Sequence, residues 1–84
     1  MSSSYAYVLE AGAARFLVAV ELSETRFLMG CFEWLARHPQ EAGVVSHRDQ
    51  AGRTVQAHLM GRYTIAAWTD HGAREVRIVE VIED

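Results

Sequence analysis

The sequence predicts an α+β fold: one helix packed on a small antiparallel sheet, in the order β-α-β-β-β, with or without an extra N-terminal strand. Three observations lead there. Apolar residues follow helical spacing between Phe27 and Leu35. They alternate instead over residues 15–22 and in the runs that follow Gly43. Turn-forming groups, Asp49-Gln50-Ala51-Gly52, Met60-Gly61-Arg62 and Asp70-His71-Gly72, separate the later runs.

Residues 1–14 read as an N-terminal arm or short strand, because Tyr5, Tyr7 and Leu9 alternate while Ser2, Ser3 and Ser4 offer nothing to bury. Residues 15–84 read as one domain. Within it, residues 15–22 form a strand with Phe16, Val18, Val20 and Leu22 on one face and Arg15 and Glu21 on the other. Ser23 suits an N-cap, and Glu24 suits the first turn of a helix. Phe27, Leu28, Cys31, Phe32 and Leu35 make the apolar stripe of that helix, which Pro39 ends.

The rest is β. A short strand covers residues 44–48. Val55, Ala57 and Leu59 then point one way, and Tyr63, Ile65 and Ala67 share a face of the next strand. Only a three-residue loop, Met60-Gly61-Arg62, brings those two apolar sets to one side, since a one-residue slip turns a whole set to water. That register sets His58 opposite Thr64. The last strand, residues 75–82, is apolar on both faces, with Val76, Ile78 and Ile82 on one and Val79 and Val81 on the other. Trp68, Val79 and Val81 then form a patch away from the helix, the kind of surface that meets a partner or a second copy.

Composition narrows the function. Half of the 84 residues are hydrophobic, which excludes disorder as the default. The single Cys31 cannot form an internal disulfide. No apolar run approaches the ~18 residues of a membrane span, and MSSSYAYVLE lacks the basic-then-apolar pattern of a secretory signal. A cytoplasmic protein with no membrane partner is the expectation. The net charge of −3, with eight arginines, no lysine and eleven acidic residues, argues against a general nucleic-acid binder. It still allows one basic face.

The order strand, helix, three strands, together with "LARHPQEAG" and "GRTVQAHLMGRYTIAAWTDHGAREVRIVEV", resembles the RelE/ParE superfamily of toxins from bacterial type II toxin–antitoxin pairs. The residues that carry the likeness are Leu35, Ala36 and Pro39 at the helix end, Gly61 and Tyr63 opening a strand, Asp70 in an acidic turn, and the valine-rich run from 76 to 81. The resemblance implies a toxin-like component, neutralised by a cognate antitoxin peptide and acting on a protein or a ribosome/RNA target. The family pairs two helices after its first strand, whereas this sequence is read with one. Its ribosome-dependent nucleases carry basic residues before Gly-x-Tyr, an arginine after that Tyr, and basic or aromatic groups near the end. Here those places hold Gln56 and His58, then Thr64, then Val81-Ile82-Glu83-Asp84. RNA cleavage needs a positioned base, an acid and cations around the phosphate, so the departures point away from an enzyme and leave His58 as the single catalytic candidate. A non-catalytic interaction or homodimerisation domain that keeps the fold is the alternative.

Arg48, Arg53, His58 and Arg62 are the candidate group for binding phosphate or an acidic partner. No three ligand-type residues share metal-ligand spacing, and no cofactor is implied.

Overall fold

The computed structural model describes residues 4–84; Ser2 and Ser3 of the expected arm lie outside them. Two helices cover part of a five-stranded mixed sheet of order β1-β5-β4-β3-β2. The elements are β1 (Ala6–Leu9), α1 (Ala11–Ala19), α2 (Leu22–Arg37), β2 (Val45–Arg48), β3 (Thr54–Met60), β4 (Tyr63–Asp70) and β5 (Glu75–Glu83). Strand β1 fulfils the extra N-terminal strand, and it runs parallel to β5, with Tyr7 beside Val76 and Leu9 beside Ile78.

The expected strand over residues 15–22 is instead the second half of helix α1, the Val20-Glu21 joint and the first residue of α2. Ala11, Ala13, Ala14 and Ala19 give the segment strong helical propensity. Helical spacing also buries Ala13 and Leu17 and tucks Phe16 against the core, a better yield than the alternating set. Val18 and Leu22, members of that set, stand 85% and 65% exposed. Helix α2 therefore starts two residues early, with Glu21 rather than Ser23 at its N-cap. Val20 and Glu21 join the helices, and Thr25 Oγ1 donates back to the Leu17 carbonyl at 3.3 Å. Of the predicted stripe of α2, Leu28, Cys31, Phe32 and Leu35 are buried, while Phe27 is 46% exposed at the edge over the Gly61 turn.

Both helices lie over β1 and β5. Their apolar faces meet Tyr63, Ile65, Ala67, Val76, Ile78 and Val81 in one core, with Tyr63, Phe32, Leu28, Leu35, Ile65 and Ile78 shut off from water. No helix among the described residues is long and apolar enough to cross a membrane.

Two local features set the strand faces, and both overturn the expected register. The β3–β4 loop has two residues, Gly61 and Arg62, and pairs Met60 with Tyr63, Leu59 with Thr64 and His58 with Ile65. Gly61 takes φ +61° while Arg62 does not, the pattern of a type II′ hairpin. A side chain at Gly61 would meet the Phe27 ring at 2.8 Å, so the turn also packs under α2. His58 and Met60 consequently face the helices, and Leu59, 60% exposed, faces away. Val55 is buried but outside the main core.

The second feature is a β-bulge. Ala66 pairs with Glu80 but Ala67 pairs with Ile78, so Val79 is the extra residue in β5. The side-chain alternation restarts after it: Val76, Ile78 and Val81 face the core, and Ile82 turns outward. In the last turn, Arg74 takes a positive φ of 57°, while the Asp70 carboxylate accepts from the Ala73 amide at 3.1 Å.

Candidate functional site

Arg48, Arg53, His58 and Arg62 do not converge. Arg53 and Arg62 flank the two ends of β3, roughly 23 Å of strand at about 3.3 Å per residue. Each is already engaged. Arg53 donates from Nε to Asp49 at 2.7 Å, and a second nitrogen meets the same carboxylate at 2.7 Å. Asp49 also accepts from the Ala51 and Arg53 amides. The guanidinium of Arg53 and those amides hold the Asp49 carboxyl below its usual range. Arg62 bridges Glu24 at 3.2 Å and Glu83 at 3.0 Å. Arg48 donates to the Gly52 carbonyl at 2.9 Å, closing its own turn. The arginines lock loops and termini together.

His58 lies on the helix-covered face, 9% exposed, and of the three arginines only Arg53 shares a cleft with it. It lies between two clefts: one of about 430 Å³ below the end of α2, shared with His38, Glu41 and Gln56, and one of about 210 Å³ shared with Trp34 and Met60. Burial pushes its imidazole below its ordinary pKa, opposed by the charge of Glu41. A neutral imidazole can accept a proton there. The only arginine lining the larger cleft, Arg53, is bound to Asp49. His38, at the same cleft, turns Nδ1 to the Trp34 carbonyl at 2.8 Å and stacks on the Trp34 ring at 4.0 Å. No three metal-ligating side chains among the described residues lie close enough to hold an ion.

The expected patch of Trp68, Val79 and Val81 is divided by the bulge. Val81 is buried in the core at 4% exposure, and Val79 is the half-buried bulge residue. Trp68 lies opposite Arg77 on the face without helices. Its indole nitrogen donates to Glu10 at 3.3 Å, Arg77 reaches the same carboxylate at 3.1 Å, and Arg53 stands 4.7 Å over the ring. Sequence reading missed Glu10 and Glu24. Glu24 accepts the Tyr63 hydroxyl across 39 positions of chain, and no local pattern signals such a pair.

What remains open is the helix-free face of β2–β5. The registers place Leu59, Thr64 and Ile82 in one row across it, and Val45, Ala57, Ala66 and Glu80 in the next. Thr64, where the resembled nucleases carry arginine, lies in the middle, its hydroxyl 3.2 Å from the Asp84 carboxylate.

Helix pair, mixed sheet and hairpin together define a RelE-like fold. A chain of the RelBE2 toxin–antitoxin complex of Mycobacterium tuberculosis superposes with a TM-score of 0.75 at 19% identity, covering 98% of this chain and 100% of that one. A chain of the archaeal RelE–RelB complex of Pyrococcus horikoshii does so with a TM-score of 0.73 at 10% identity, covering 96% of each. No protein-family model matches the sequence. No curated protein matches it either.

Proposed function

We propose that this chain is the toxin-like component of a type II toxin–antitoxin pair, held by an antitoxin peptide and acting through contact with a protein or ribosomal target. The observation that carries the reading is the likeness to chains from two toxin–antitoxin complexes, over 96–98% of this chain and 96–100% of theirs. Contact rather than RNA cleavage is the favoured mode. A cleaving site gathers a base, an acid and free cations at one phosphate, whereas His58 faces the helices and Arg53 and Arg62 are paired to carboxylates. The same pairing favours the second reading, an interaction or homodimerisation domain that keeps the fold without a toxic effect.

Induced expression in a bacterial host separates the two. The first reading expects growth to slow on induction and to recover when a cognate antitoxin, sought in the adjoining reading frame, is co-expressed. Unchanged growth would leave the second. An assay on ribosome-bound message should show no cleavage; cleavage that disappears in His58→Ala would overturn the contact mode.

A further inference from the structure

We propose that the helix-free face of the sheet receives an apolar segment of a partner protein that carries basic side chains along one edge. This deepens the toxin–antitoxin reading, on which it rests, by naming the chemistry of the partner. Leu59, Val45 and Ile82 are 60%, 59% and 49% exposed on this face, with the small Ala57 and Ala66 as a floor between them. A contiguous apolar surface of this kind on a small domain marks an interaction site. Its β5 side is acidic. Glu80 and Asp84 flank Ile82, two positions away on either side, and neither forms an ion pair among the described residues. Glu10, Glu24, Asp49, Glu75 and Glu83, in contrast, each meet an arginine.

The charge selects the occupant. Nucleic acid would meet two uncompensated carboxylates beside Thr64 and no free arginine in either apolar row. A second copy laid on this face about a two-fold axis through the Ile82 row would bring like charges together. A basic, apolar segment satisfies both halves of the surface: burial supplies affinity, and the opposed charges supply orientation and association rate.

The test titrates the full chain with two labelled amphipathic peptides of identical leucine face, one with lysines and one with glutamates on the polar face, and reads fluorescence anisotropy. The lysine peptide should bind at least roughly tenfold more tightly, a gap that higher salt narrows. Glu80→Lys with Asp84→Lys should erase that preference, and Leu59→Ser should weaken the lysine peptide, all three being exposed positions. Glu21→Lys with Glu33→Lys, the same charge change at two exposed positions at the N-cap and on the outer side of α2, should leave binding unchanged. Failure of the lysine peptide to bind, equal binding of both peptides, or equal loss from the α2 control would overturn the proposal. So would a dimer in light scattering that Ile82→Lys dissociates, because the second copy would then be the occupant. Absence of any growth effect with peptide preference intact would remove the toxin reading and keep the surface.

Discussion

The two faces of one sheet, built from alternate residues of the same strands, have opposite fates. Under the helices, Ile65, Ile78 and Tyr63 are dry and Phe32 and Leu35 pack down on them. On the other side, Leu59, Ala66 and Ile82 neighbour those residues in sequence or register yet face water. Hydrophobicity alone does not separate the sets, since Ile82 is as apolar as Ile78. The turn at Gly61 and the bulge at Val79 decide which residue joins which face. One face holds the fold, and the other is free to bind.

Substitutions on the two faces should therefore differ sharply. Phe32→Ala should cost about 3–5 kcal/mol, a large share of the roughly 4–12 kcal/mol available to a domain of this size. The urea midpoint should collapse, or the chain should fail to fold. Gly61→Ala attacks the hinge between the faces; the positive φ and the Phe27 ring should make it cost about 1–2 kcal/mol, read from the same denaturation curves. If Gly61→Ala were neutral, the turn would not be what sets the register.

Two pH limbs sharpen the same contrast. Burial favours neutral His58, so the unfolded chain binds more protons in the window below about pH 6.5. Stability should decline as pH falls through that window, and His58→Gln should flatten the slope. The hydrogen bond to Glu24 raises the Tyr63 pKa, with burial adding to it. Its stabilising share is complete below the ordinary tyrosine value and fades as pH rises above about 10, a loss that Tyr63→Phe should remove. The smallest effect is expected on the bare face, where Leu59→Ser should move the midpoint by no more than about 0.5 kcal/mol. A large loss there would mean that Leu59 belongs to the core.

How far the sequence displays this architecture follows from the range of each signal. The stripe from Leu28 to Leu35 and the three C-terminal strands are legible because their periodicity is local. Helix α1 is not, because Phe16, Val18 and Val20 alternate as a strand would while the alanines before them favour helix. The bulge leaves no trace either: β5 is apolar in both parities, so a shift at Val79 costs nothing in composition. The errors in the candidate site come from that bulge and from the length of the β3–β4 turn. The bulge buries Val81 and turns Ile82 to the open face, and the two-residue turn at Gly61 sends His58 inward. The arginines were legible as a group but not as partners, since Arg62 finds Glu24 and Glu83 only after folding.

On the proposed reading the bare face, and not the arginine and histidine set, is the working surface, and growth on induced expression of matched variants puts this to the test. Leu59→Glu with Ile82→Lys should abolish the growth defect, while Arg53→Gln and His58→Gln, shown folded by circular dichroism, should retain it. The reverse, a defect lost with Arg53→Gln or His58→Gln and kept when the bare face is charged, would contradict the account.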